Sequence, residues 1–473
     1  QQGMATHHIN REKAVRWLGM IYLINCTCTS AASVLISFIY DRIGLYNLGQ
    51  KNLFMIYIGY CIASFFPNQI LHFFRELKVG LAVGFFINGL QIFAAIFTYG
   101  CYALNETSGV CARDTLLIGN VSIGFVMGLL CNVYLWTGNF EFVDKLTTKD
   151  EKKIMFAIFN SYMIFNSIIA NLLNILFYTY DVNSLYIFIG CYSIFLLVTS
   201  GIYWYLPNLH GYIPEEDPQE NPVCPPAESV AINIEHSEAN LVASLVEEDK
   251  QEKTDGVRTV AKEEDANPSL KQTVSIYAKL ITNGHYASLF PYLAQSGLFQ
   301  GFSQGAIYRL VVNVYANDKS VNDSFVKKMI CVMLIFYSIS GLMTSQISQY
   351  MKGPTKNKVM KVNSMLFAVF MVLQVFFSDL LTNFWYVVVP AVICGSIDLL
   401  FQQLIAVDLS ENFPGKTEPY ALFKLIQNFI CAIFMIVYIY CTTYTFTVVN
   451  ATLHVFLSIW FVLVFNNKST KPN

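Results

Sequence analysis

Twelve segments of this chain are each long and apolar enough to cross a membrane. That count constrains the fold more than any other feature. A hydrocarbon core needs about 20 mostly apolar residues per helix. Such segments fall at 15–40, 48–72, 78–101, 114–138, 153–178 and 184–206. A second set falls at 286–315, 325–351, 359–379, 384–408, 419–441 and 444–466. Only 13% of the 473 residues are charged, whereas a soluble globular chain carries about 25%. That excludes a soluble enzyme with one ordinary core. It also excludes a disordered protein, because too much apolar surface must be buried. The expected class is an all-α membrane protein. No short cleavable signal with a small-residue cleavage site precedes the first segment, which is itself long enough to span.

Residues 207–272 break the pattern. They hold Pro214, Pro218, Pro222, Pro225, Pro226 and Pro268, and between 215 and 265 they carry 15 acidic and 4 basic residues. Few aromatics and strong negative charge read as a disordered cytosolic linker. It serves either as a flexible tether or as a segment read by cytosolic partners. The formal net charge of −2 is therefore an acidic linker set against a basic remainder. Nothing in that balance suggests nucleic-acid binding.

Loop lysines and arginines set the orientation. With the N-terminus in the cytosol, cytosolic segments carry 23 of them and the opposite side six. Lys416 and Lys424 are counted among the 23. Both termini are then cytosolic, in the plasma membrane or an endomembrane. The outer loop 102–113 contains Asn105-Glu106-Thr107, a glycosylation sequon, so Asn105 is a candidate glycan site. Cys101 and Cys111 flank that loop and suit a disulfide on the oxidising side. Most other cysteines sit inside apolar runs and read as packing residues. No metal-type spacing occurs, and no cofactor is expected.

Six spans, a long cytosolic linker and six more spans is the layout of the major facilitator fold, with two six-helix bundles. The expected boundaries are 1–14 for the N-terminus, 15–206 for the first bundle, 207–272 for the linker, 273–466 for the second bundle and 467–473 for the tail. An offset of 264 supports an internal repeat. It pairs Asp144 with Asp408, Lys152 with Lys416, Ala157 with Ala421, Phe159 with Phe423 and Phe165 with Phe429.

Spans 1, 4, 7 and 10 line the cavity of that fold, and charges inside hydrocarbon are functional candidates by default. Asp398 lies midway along span 10, with Gln402 one turn away on the same face. Arg309 lies in span 7. It either faces the cavity or snorkels to the lipid interface. A direct pair with Asp398 has to bridge a depth difference of about 12 Å. Asn25 of span 1, Asn132 of span 4 and Trp136 at the end of span 4 are the other cavity candidates. Span 5 holds Asn160, Asn166, Asn171 and Asn174, read as cavity polarity or as helix–helix hydrogen bonding. The first six spans lack a central carboxylate, which counts against proton symport. No nucleophile elbow, P-loop or catalytic carboxylate pair appears, so an enzyme is not expected.

Several stretches resemble a known family. Leu135-Trp136-Thr137-Gly138-Asn139 resembles the Leu-Trp-Thr-x-Gln/Gly signature of the uncoordinated-ninety-three-like family, the ion-channel regulatory branch of the major facilitator superfamily. Thr147 to Lys153 followed by Phe156-Ala157-Ile158-Phe159 resembles its polar loop and aromatic span. Gly395 to Gln403 resembles its Gly-x-x-Asp-x-x-x-Gln-x-Gln stretch. Asn412-Phe413-Pro414 with Glu418, Ala421 and Phe423 resembles its Phe-Pro…Glu-Ala-Ala-Phe loop, and Leu48-Gly49 with Tyr57 resembles the start of its second span. Departures occur at Gly138-Asn139 and at Pro419-Tyr420, and the acidic linker is particular to this chain.

The resemblance implies a non-enzymatic accessory protein, one that regulates a two-pore potassium channel or assists receptor trafficking. Its partners would be the bilayer and another membrane protein. The alternatives are a secondary transporter of a small neutral or anionic solute, and a structural subunit of a larger membrane assembly.

Overall fold

The computed structural model describes residues 10–42, 44–45, 48–71, 73–74, 76–148, 151–177, 182–207, 270–315, 323–348, 353–377, 383–413 and 416–465. The acidic stretch 215–265 lies outside them. The first half contains α1 (Arg11–Arg42), α2 (Leu48–Ala63), the short α3 (Pro67–Leu71), α4 (Leu77–Ala103), α5 (Arg113–Asn132), α6 (Asn139–Leu146), α7 (Lys152–Phe177) and α8 (Val182–Ser200). The second contains α9 (Leu270–Thr282), α10 (Gly284–Tyr315), α11 (Asp323–Ser348), α12 (Gly353–Phe377), α13 (Phe384–Asn412), α14 (Glu418–Tyr440) and α15 (Thr443–Val464). Among the described residues, every predicted span contains one of these helices, with the two exceptions to continuity given below. Among the described residues, nine helices are long and apolar enough to cross a membrane.

Two differences from the expected spans have local causes. The segment 48–72 is not one helix. It stops at Ala63, because Pro67 has no N–H to continue the ladder and disfavours a helical residue before it. Two carbonyls freed near the break are taken by phenols, Ser64 by Tyr277 and Ile70 by Tyr134. Span 4 is longer than expected. A π-helical turn over Val133–Gly138 joins α5 to α6, and the helical run continues from Arg113 to Leu146.

Helix α9 lies outside the twelve apolar segments. Its buried residues Thr273 and Tyr277 lie one turn apart and face the protein, while Leu270, Val274 and Ile281 are exposed on another side.

The two halves repeat one packing scheme. In the first, α2 packs on α5, α1 on α7 and α8, and α4 on α5 and α8. In the second, α11 packs on α13, α10 on α14 and α15, and α12 on α13 and α15. The halves meet where α7 lies on α11 and α2 on α14. Each half has its own aromatic-rich core, with Tyr22, Phe85, Phe159 and Tyr203 in one and Phe299, Phe367, Phe401 and Phe461 in the other.

Interior polar groups repeat as well. In the first half Thr199 donates to Asn25 Oδ1 at 2.8 Å, and Asn88 donates to Thr29 at 2.8 Å. In the second, Gln295, Ser364 and Ser458 of α10, α12 and α15 bond one another at 2.6–3.1 Å. Glycine brings the α2–α5 and α11–α13 pairs close. A Cβ on Gly128 would run into the Ile56 carbonyl, and one on Gly395 into the Tyr337 carbonyl.

Candidate functional site

One end of the bundle carries a set of ion pairs. Asp144, at the end of α6, accepts from Lys152 at 2.7 Å and from Ser410 of α13 at 2.9 Å. Its repeat partner Asp408 is 1% exposed and accepts from His285 at 2.7 Å and Lys356 at 2.8 Å. Lys356 also donates to Glu411 at 2.6 Å. The repeat therefore keeps the two aspartates but exchanges their cations: the position matching Lys152 is Lys416, yet Asp408 takes Lys356 and His285. Nearby, Asn68 of α3 donates to Glu418 of α14 at 3.0 Å, and Arg11 pairs with Glu151 at 3.2 Å.

Deeper in the bundle lies a second polar cluster, and it contains the charge that best marks a site. Asp398 is the midpoint of α13, fourteen residues from either end. The close approach of Gly395 to the α11 backbone sets Tyr337 beside it. Tyr337 donates its hydroxyl to Asp398 at 2.6 Å. One turn along the helix on the same face, Gln402 accepts from Lys424 of α14 at 2.9 Å. Lys424 donates a second bond to Gln427 at 2.8 Å. Its ammonium lies 4.6 Å from the ring centres of Trp136 and of Phe423. Lys424 is 3% exposed, whereas Asp398, Gln402 and Trp136 are half-buried.

Trp136 comes from the first half and Lys424 from the second, so the cluster straddles the seam between the halves. A further contact crosses the same seam, from Gln300 of α10 to the Tyr57 hydroxyl of α2 at 3.1 Å. Gln427 closes the group by donating to Ser296 at 3.3 Å.

The structure thus brings together three of the predicted site residues: Asp398, Gln402 and Trp136. Asn25 does not join them. It is fully buried in the packing of α1 and α8, where its amide donates to the Ile21 carbonyl and accepts from Thr199. The side chains of Asn132 and Arg309 lie outside those described, although α5 and α10 include both residues. Asn105 sits in an exposed turn with a positive φ of 52°, and Cys101 and Cys111 form the disulfide that closes its loop.

Lys424 corrects the sequence reading. It is not a loop cation; it lies within the membrane-crossing part of α14. A signal for it existed. Lys424, Gln427 and Asn428 place three polar side chains on one face of an otherwise apolar helix. The span-5 asparagines are all buried. Asn166 accepts from Ser30 and Asn171 donates to the Ser167 carbonyl, while Asn160 and Asn174 find no hydrogen-bond partner among the described residues.

Comparison with known proteins supports the fold. No family profile and no curated protein matches the sequence. Solved structures do. The chain is similar to the Escherichia coli fucose:proton symporter FucP, at 11% identity and a TM-score of 0.57 over 96% of this chain and 98% of that one. It is similar to a bacterial homologue of the iron transporter ferroportin in an outward-facing state, at 11% identity and a TM-score of 0.61 over 97% and 100%. It is also similar to the nucleoside transporter NupG, at 14% identity and a TM-score of 0.57 over 97% and 100%. The chain is an integral membrane protein of the major facilitator fold.

Proposed function

We propose that this protein is a secondary transporter of a small solute. The observation that carries the reading is the Asp398–Gln402–Lys424 cluster, placed deep in the bundle on the seam between two repeated halves. Ionisable groups at membrane depth are expensive and mark solute or ion pathways. In alternating access two repeats rock about a site near the midplane. The ties of Asp144 to Ser410 and Asn68 to Glu418 would then hold one end shut, and the cycle would break them. The solved structures it resembles are of transporters, which favours this reading over an accessory role. Positive-inside counting places the Asp144 end in the cytosol.

Purified protein in proteoliposomes loaded with a labelled extract of small metabolites tests the reading. Selective release of a labelled solute, lost in Asp398→Asn and Lys424→Gln, is expected. Release no greater than from protein-free liposomes would overturn it. The accessory role is the second reading. It rests on the resemblance of Leu135–Asn139 and Gly395–Gln403, both of which supply residues to the cluster. Stable co-purification with a two-pore potassium channel would favour it.

A further inference from the structure

Asp398 and Lys424 are an acidic and a basic side chain in the membrane interior, yet they do not touch. Among the described residues no carboxylate oxygen lies within 4.0 Å of the Lys424 ammonium. A single neutral side chain, that of Gln402, is set beside both. Gln402 lies one turn from Asp398 on the same face of α13 and accepts from Lys424 at 2.9 Å. Isolated charges are costly in a low-dielectric setting, and a direct ion pair is the usual remedy. Their backbones are offset, because Asp398 is fourteen residues from the end of α13 while Lys424 is six residues into the next helix. At 1.5 Å per residue their Cα atoms differ in depth by about 12 Å.

The Gln402 carboxamide, which carries both an acceptor and a donor, is therefore a resident stand-in for a ligand that joins the two side chains. Resting on the transporter reading, we infer that the solute is a small zwitterion whose ammonium binds Asp398 and Tyr337 and whose carboxylate binds Lys424, displacing the Gln402 amide. The chemistry fits at each end. The Tyr337 hydroxyl already donates to Asp398 at 2.6 Å, which keeps that carboxylate aimed. Lys424 has two donors committed to amide oxygens, each weaker than a carboxylate acceptor. Half-buried Trp136 borders the ammonium and gives the solute an aromatic wall. A zwitterion also leaves the net charge of the site unchanged. A simple anion or cation would place an uncompensated charge there.

The test measures binding rather than transport. Thermal unfolding of the purified full-length protein is followed with glycine, β-alanine and 4-aminobutyrate, whose charges are progressively further apart. Lactate and ethanolamine, each carrying one of the two charges, are the controls. At least one zwitterion should raise the unfolding temperature, and neither control should. Asp398→Asn and Lys424→Gln should each weaken that zwitterion about tenfold or more. Gln402→Ala, which removes the internal competitor, should tighten it several-fold. That third variant keeps the inference testable if the charge variants fail to fold. Stabilisation by lactate or ethanolamine alone, stabilisation by none of the zwitterions, or weaker zwitterion binding in Gln402→Ala overturns the inference. Zwitterion binding without release from proteoliposomes would overturn the transporter reading and leave the site assignment standing. Release of another solute without zwitterion binding would do the reverse.

Discussion

Tyr337 reaches Asp398 with its hydroxyl at 2.6 Å across the α11–α13 seam, and its carbonyl lies against Gly395, three residues before that aspartate. One tyrosine therefore fixes both the helix spacing and the orientation of the half-buried carboxylate. Gly395→Ala would force a methyl group into the Tyr337 carbonyl and push the helices apart. It should destabilise the protein by about 1–3 kcal/mol. Tyr337→Phe keeps the spacing but deletes a hydrogen bond to a carboxylate, a loss of about 1.5–3 kcal/mol. Detergent unfolding curves check both. The double variant should lose less than the sum, because the residues are in contact.

The ion-pair group at Asp408 makes a sharper prediction. Lys356 is 5% exposed and serves both Asp408 and Glu411. Lys356→Ala strands a buried carboxylate beside His285 and should destabilise by about 3–5 kcal/mol. Adding Asp408→Asn to that variant should restore part of the loss. A fluorescence-detected melting series on the four proteins measures the coupling directly.

Glu151 supplies a pH test outside the spans. Burial raises its carboxyl pKa, but hydrogen bonds from Thr148 and Arg11 outweigh burial, and the net direction is downward. A carboxylate with a lowered folded pKa contributes stability above its unfolded pKa, and that contribution fades as pH falls through the folded value. Glu151→Gln should therefore weaken the protein at neutral pH and narrow its difference from wild type in acid. Unfolding temperatures between pH 7 and pH 3 report the convergence.

The Cys101–Cys111 disulfide closes a loop with a sequence separation of 10. Its removal by Cys101→Ser with Cys111→Ser should cost about 2–3 kcal/mol. If this exposed loop faces the secretory lumen, Asn105 will carry a glycan. Glycosidase treatment should then shift the wild-type band and leave Asn105→Gln unchanged.

The fold was largely legible because bilayer thickness imposes a length on every span, and apolar runs of that length are hard to mistake. Interruptions were less legible. The Pro67 break needed weighing against an apolar run that continues through it, and the π turn at Val133–Gly138 carries no proline or glycine pair to announce it. Within the site, Asp398 and Gln402 stood out as polar residues near the middle of a span. Lys424 did not, because it lies near the start of a span where lysines ordinarily snorkel, and its burial depends on Trp136 from the other half of the chain. Only three-dimensional packing brings those two residues together.

The broken second span has one further consequence. At the corner after α2, the Ser64 carbonyl is held by Tyr277 of the second half and the Ile70 carbonyl by Tyr134 of the first. Backbone polarity in hydrocarbon has to be matched at every stage of a motion. Parting the halves there takes the Tyr277 hydroxyl from Ser64, and only water is small enough to take its place. On the transporter reading, opening at this end is therefore a wetting event. Its equilibrium should shift with osmotic stress from polymers too large to enter, even when no solute is bound.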